Sequence, residues 1–269
     1  MPRTFFLLFL FWNLVSSAAA LRLTATIYPL YDLARELAPE EDIRLLLPPG
    51  ADPHHFEPRW EALRTLRESD LVLAVGYETW LPRSLSPEKK LLLAEGPFKN
   101  PHLWLDLARL RNFIERLSAR LSLLCPARKG EIESRKRKLL ARMARLEALK
   151  KELSLCRSRT VLVLGHAALE ELLKGTSLKV VSLAGPHPES EVLPGDLSRA
   201  LTLARRKRLP AVFLLDPAFQ RYVPLFRKEG IRVLKINPGL PVWPEDRGLS
   251  FLDLLQKDLL TLKNGLCLS

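Results

Sequence analysis

Residues 127–156 read ARKGEIESRKRKLLARMARLEALKKELSLC, and the reading of this stretch divides the rest of the chain. Ile132, Leu139, Met143, Leu146, Leu149 and Leu153 recur mostly at intervals of three and four, which places them on one edge of an α-helix. The spacing predicts one long amphipathic helix, its Leu and Met stripe laid against neighbouring elements rather than lining a cofactor site. Between residues 127 and 153 it carries ten Lys or Arg and four Glu, half of a formal net charge of +12. The simplest reading of that charge is a solvated helical face. A nucleic-acid surface would want aromatic residues interleaved with the cations, and none stands there.

On both sides of this helix, short apolar runs alternate with helical ones. Before it, LRLTATI, IRLLLP, LVLAVG and KLLLAEG read as strands, and LYDLARELA, WEALRTLRESD and LDLARLRNFIERLSARL as helices. After it, TVLVLG, LKVVSLAG, AVFLLD and IRVLKIN read as strands, with AALEELL, LSRALTLARR, QRYVPLFRKEG and SFLDLLQKDLLTLKNG as helices. Apolar runs of strand length bounded by Pro, Gly or acidic turns are those of parallel strands covered on both faces. The expected fold is therefore α/β: two Rossmann-like lobes with parallel sheets, over residues 21–125 and 158–269, joined by one long helix within 126–157. No Gly/Ser tether separates them, and a stiff helix permits only limited relative motion. A ligand is expected in the cleft between the lobes, outside the carboxyl ends of the strands.

The first twenty residues, MPRTFFLLFLFWNLVSSAAA, have a basic start, an apolar run and a small-residue end. That is the pattern of a secretory signal peptide over residues 1–20. The run is shorter than the roughly 20 residues a membrane-spanning helix needs, and no other run approaches that length. No cysteine follows the expected cut, which argues against a lipid anchor. Export permits disulfides, and the chain has three cysteines: Cys125, Cys156 and Cys267. A straight helix would hold Cys125 and Cys156 roughly 45 Å apart, far beyond bonding reach. Any internal bond must then include Cys267, with Cys156 the favoured partner.

All five histidines fall on loops that leave predicted strands: His54 and His55 after IRLLLP, His102 after KLLLAEG, His166 after TVLVLG, His187 after LKVVSLAG. Three imidazoles from three loops would suit zinc, which takes three or four N, S or O donors in a tetrahedral shell. Two of the loops share a pattern, PHHFEP and PHLWLD, each Pro-His-x-aromatic followed by an acid. Proline orders the backbone ahead of the histidine, and the aromatic can wall the site from water. Glu57 and Asp106 are candidates to accept the other ring N–H of a ligating imidazole, or equally to cap the following helices.

These residues together resemble the zinc- and manganese-binding substrate-binding proteins of bacterial ABC transporters. The likeness runs over the whole mature chain, through GADPHHFEP, SDLVLAVGYETWL, NPHLWLDLARL, VLGHAALEELL, GPHPESEVLPGDL and VFLLDPAF in that order. Carried over, the resemblance puts the metal on His54, His102 and His166, with His54 chosen over His55 because it directly follows the proline. A histidine at 166, where manganese-preferring members tend to have glutamate, implies zinc. The chain departs from the pattern where an Asp or Glu usually follows the last strand, since Asn237 stands there. The fourth position is left to Asn237, a water or His55. Asp216, in place of the usual glutamate, is an outside candidate, and His187 reads as a loop residue. The loop SLSPEKK lacks the histidines of the family's metal-collecting insertion.

The resemblance implies a periplasmic, monomeric, non-enzymatic protein that captures Zn2+ as transported ligand. It would deliver the ion to an ABC permease and its ATPase, meeting the membrane only there and nucleic acid nowhere. Manganese or iron uptake is the alternative within the class. A secreted zinc hydrolase is the rival outside it, lacking a His-Glu-x-x-His helix and with only Glu57 to propose as a base. An adhesive surface protein using the basic helix is a third.

Overall fold

The computed structural model describes residues 20–48, 56–185 and 192–267. Apart from Ala20 the expected leader lies outside the described residues, as do His54, His55 and His187. The first lobe runs β1 (Arg22–Ala25), α1 (Tyr28–Leu37), β2 (Asp42–Leu45), α2 (Trp60–Glu68), β3 (Leu71–Ala74) and β4 (Lys90–Leu92), then α3 (Leu107–Leu124). The long helix α4 spans Lys129–Leu153. The second lobe follows as β5 (Thr160–Leu164), α5 (Leu169–Leu172), β6 (Lys179–Ser182), α6 (Pro194–Lys207), β7 (Ala211–Leu214), α7 (Val223–Lys228), β8 (Arg232–Lys235) and α8 (Phe251–Cys267). Each strand and helix read from the sequence has its counterpart, although α5 is a single turn. None of the described helices is long and apolar enough to cross a membrane.

Both sheets are parallel and have the same strand order, β2-β1-β3-β4 and β6-β5-β7-β8. The register pairs Leu23 with Leu71 in one and Val163 with Phe213 in the other. In such an order the crossovers leave in opposite directions from β1/β3 and from β5/β7, so a crevice opens at the carboxyl ends of those strands. Past the carboxyl ends of β1 and β3, Glu78 accepts from Thr26 Oγ1 and the backbone N–H groups of Val75 and Gly76 at 2.6–2.8 Å.

The α4 stripe is buried as its spacing predicts: Ile132, Leu139, Met143, Leu146 and Leu153 are inside, and Leu149 is half-buried. One contiguous apolar core includes Leu23 and Leu73 of the first sheet, this stripe, Val163 and Phe213 of the second sheet, and Leu255 and Leu259 of α8. Each such side chain contributes about 1.5–3 kcal/mol by leaving water. The two lobes therefore share a core through α4.

The charge on α4 is more organised than a merely solvated face. Arg128 pairs with Glu41, Arg135 with Glu40 at 2.9 Å, and one Arg142 nitrogen with both Glu36 oxygens at 2.6 and 2.9 Å. The other Arg142 nitrogen donates to Ser250 Oγ and Asp253 Oδ1 at 2.8 and 2.9 Å, so one guanidinium ties both lobes to the helix. Nearby, Phe251 N donates to Asp32 Oδ2 at 2.7 Å, and the Tyr28 hydroxyl donates to Leu249 O at 2.6 Å. Burial raises the Asp32 carboxyl above its ordinary range, opposed by the Phe251 hydrogen bond and Arg142.

Cys156 and Cys267 are joined in a disulfide across a sequence separation of 111, and Cys125 is free. Replacing both bonded cysteines by serine is expected to cost about 2–5 kcal/mol, read as a lower urea midpoint. An unchanged midpoint would mean that the bond constrains nothing. Because the folded Asp32 is harder to ionise than the unfolded one, its contribution is complete below about pH 4 and is lost as pH rises through the folded value. Asp32→Asn keeps an acceptor for Phe251 and removes that penalty. The variant should therefore gain stability relative to the parent between pH 4 and pH 7.5 in paired thermal melts.

Candidate metal site between the lobes

The loop after β4 carries His102 to the cleft, and its conformation is set by the residue two positions earlier. Asn100 Oδ1 accepts from the backbone N–H of His102 at 3.1 Å and lies 2.7 Å from His102 Nδ1. Asn100 Nδ2 donates to Ala167 O in the other lobe at 2.8 Å. Those two backbone partners fix which end of the amide is oxygen, so His102 Nδ1 must carry the hydrogen. His102 Nε2 is then the ring nitrogen without a hydrogen. It lies 2.9 Å from His166 Nε2, the rings 4.7 Å apart and nearly stacked.

His166 arrives immediately after β5, at the switch point of the second sheet. Gly165, at φ 152°, makes the exit possible, because a side chain there would press on Leu215. Both histidines are almost wholly enclosed, His102 at 1% and His166 at 7% exposure. Two imidazole nitrogens ligating one tetrahedral zinc at about 2.0–2.1 Å would sit roughly 3.3–3.4 Å apart, so a slight separation of this pair admits the ion.

Trp104 walls this pair. Its ring meets His102 edge-on at 5.2 Å, and its Nε1 donates to Pro238 O across the cleft at 2.8 Å. Gly239, at φ 79°, lets the loop after β8 close on the indole, since a side chain would lie 2.9 Å from Trp104 and Leu105 atoms. Phe56 packs edge-on against Trp80 at 5.6 Å, and Glu57 is exposed ahead of α2.

Asp106 does not hold His102. Its carboxylate caps α3, accepting from Ala108 N and Arg109 N, and lies 3.4 Å from Arg109 and 3.7 Å from Lys174. The acceptor on the imidazole is Asn100, which the sequence reading missed. The signal was present in the Asn-Pro dipeptide of NPHLW, a turn initiator with a short polar side chain. Asp216 caps the turn at Pro217–Tyr222 through Ala218 N. Among the described residues, no group of three His, Cys, Asp or Glu is arranged to hold a metal ion, so no described carboxylate joins His102 and His166.

Asn237 follows β8, at the same end of the sheet as His166, and is 1% exposed. Its backbone N–H and side-chain Nδ2 donate to Asp258 Oδ1 at 3.1 and 3.2 Å, and Nδ2 also donates to Asp246 Oδ2 at 3.0 Å. Both acids are buried, and Lys257 pairs with Asp246. Burial pushes the Asp258 carboxyl up to about 8, against the hydrogen bonds from Asn237; Asp246 adds to the lift and Lys257 opposes it. Asn237 Oδ1 has no hydrogen-bond partner among the described residues, a condition that costs about 1–3 kcal/mol for a buried acceptor.

The chain is 22% identical over 284 residues to the high-affinity zinc uptake system protein ZnuA of Bacillus subtilis, covering 93% of this chain and 89% of that one. It is 25% identical to the zinc-binding lipoprotein AdcA of Streptococcus pneumoniae, with 90% of this chain aligned but only 55% of that protein's length spanned. Among solved structures, the metal-dependent lipoprotein YcdH of Bacillus subtilis superposes with a TM-score of 0.79 at 22% identity, covering 91% of this chain and 99% of that one. The Zn(II)-bound ZnuA-like domain of Streptococcus pneumoniae AdcA gives 0.77 at 23% identity, covering 92% and 99%. Residues 23–265 match the model of the family described as "ZnuA: Zinc-uptake complex component A periplasmic". From its first strand to its last helix, the chain belongs to that zinc-uptake family.

Proposed function

We propose that this chain captures zinc between its two lobes outside the cytoplasm and hands it to a membrane permease driven by an ATPase, acting as a monomeric carrier without catalytic turnover. The observation that carries the reading is the pair of enclosed imidazoles, one from each lobe, whose Nε2 atoms face each other at 2.9 Å. His54, from the loop after β2, is the third donor, and Asn237 is the candidate fourth. A shell of imidazoles with one amide oxygen suits zinc better than manganese, which prefers carboxylate and water. The lobes are taken as residues 21–125 and 158–269, with 126–157 as the connecting segment and residues 1–20 as an export leader. A hydrolase would need a general base beside the metal, and the exposed Glu57 gives that reading no support.

Metal analysis of the purified chain is expected to find one zinc per molecule. His54→Ala, His102→Ala and His166→Ala should each weaken zinc binding beyond the roughly 10–100-fold typical of losing an outer partner, which is the loss expected for Asn100→Ala. His55→Ala should bind as the parent does. Full zinc stoichiometry in all three histidine variants would sink the assignment. Neutral imidazole ligates and imidazolium does not, so zinc should raise the melting temperature at pH 7.5 and do so far less at pH 5, below the ordinary histidine value of about 6.5. An equal rise at both pH values would contradict an imidazole shell.

A further inference from the structure

The apolar edge of α4 is interrupted near its end by a cation. Lys150 stands four residues after Leu146 and seven after Met143, where the spacing calls for an apolar side chain, and it is half-buried. It has no hydrogen bond or salt bridge among the described residues. Burial lowers its ammonium below the ordinary lysine value; Asp106, Glu147 and Glu171 oppose that shift, and Lys174 adds to it.

Lys150 lines a cavity of about 560 Å³ to which the first lobe contributes Asp106, α4 contributes Glu147 and Lys151, and the second lobe contributes Lys174. The acids around it are already engaged. Glu147 accepts from Arg111 through both oxygens at 2.9 Å. Asp106 caps α3 and lies 3.4 Å from Arg109. Lys174 lies 3.7 Å from Asp106 and 3.8 Å from Glu171, beyond hydrogen-bond range. Arg109, Arg111, Lys150, Lys151 and Lys174 thus meet only Asp106, Glu147 and Glu171, and positive charge is left over. A concave space with protein walls focuses such an excess, and a cation withdrawn from water without a partner is costly until an anion joins it.

We propose that this cavity binds a small dianion, either a tetrahedral oxyanion or a dicarboxylate, between Lys150 of α4 and Lys174 of the second lobe, with the exposed Lys151 beside them. The occupant links the second lobe to the long helix by charge-assisted hydrogen bonds. The cavity volume lies within the roughly 300–1,000 Å³ of small-ligand pockets. None of these residues is proposed to hold zinc, so the site stands or falls apart from the metal.

Isothermal titration calorimetry of the metal-free full chain tests this, with sodium sulfate and sodium succinate as separate probes and sodium chloride at matched ionic strength as the reference. At least one dianion is expected to bind saturably at one per chain, and chloride is not. Sulfate alone marks a tetrahedral oxyanion site, and succinate alone a dicarboxylate site. Lys150→Met and Lys174→Gln should each weaken that binding by about 10-fold, the loss of one charge-assisted hydrogen bond. Arg137→Gln, on the exposed edge of the same helix, should bind as the parent does. Lys150→Met completes the apolar stripe, so it should melt no lower than the parent. If it does melt early, Lys174→Gln, at a largely exposed position, decides the matter. No saturable binding of either dianion, undiminished binding by Lys174→Gln or by a well-folded Lys150→Met, or an equal loss in Arg137→Gln would overturn the inference.

Discussion

Burial of one edge of a charged 25-residue helix between two parallel sheets is the constraint on which the molecule depends. The stripe from Ile132 to Leu153 has no apolar partner of its own, and it finds one only when both sheets and α8 close around it. A shared core makes the lobes hard to separate, since opening them would return that stripe to water. The cleft is accordingly set to a narrow range of widths. Small bonds such as Asn100 to Ala167 and Trp104 to Pro238 can then span it with ordinary hydrogen-bond geometry.

Within that fixed frame, two buried amides are each held in a single direction. Asn100 spends its oxygen on His102 and its nitrogen on the opposite lobe, so it chooses the tautomer of that histidine and bridges the two lobes with the same side chain. Asn237 is controlled in the reverse sense, its nitrogen captured by acids and its oxygen left over. In both cases a neutral, flippable group is given one orientation by partners of fixed role, backbone groups at Asn100 and the Lys257-paired Asp246 at Asn237.

The sheets, the long helix and the disulfide partners were legible in the sequence because each follows from local periodicity or from chain geometry. That His102 and His166 would lie close together was legible for a related reason: strand-exit loops in a parallel fold converge, so histidines on two of them become neighbours. Asn100 and Asp106 show where such reading stops. Both are polar residues within four positions of His102, and only the path of the turn determines which one reaches the ring and which one caps α3. Asp258 was harder still. It lies within the amphipathic pattern of α8, where one acid looks like a solvent-facing residue, and its burial follows from how that helix packs against the end of β8.

The covalent link between Cys156 and Cys267 has a consequence for how the exported chain matures. It closes a ring containing the whole second sheet, and the ring can form only after the last helix has been delivered. In a disordered chain Cys125 is far nearer to Cys156 than Cys267 is, and short closures are entropically easier, so random oxidation would favour the wrong bond. Once α4 is helical, it stands between Cys125 and Cys156 as a rod and keeps their sulfurs apart. The helix that unites the two cores therefore also proofreads oxidation. A substitution that weakens its helicity would show first as mispaired molecules accumulating during export, before any change in the hold on the metal.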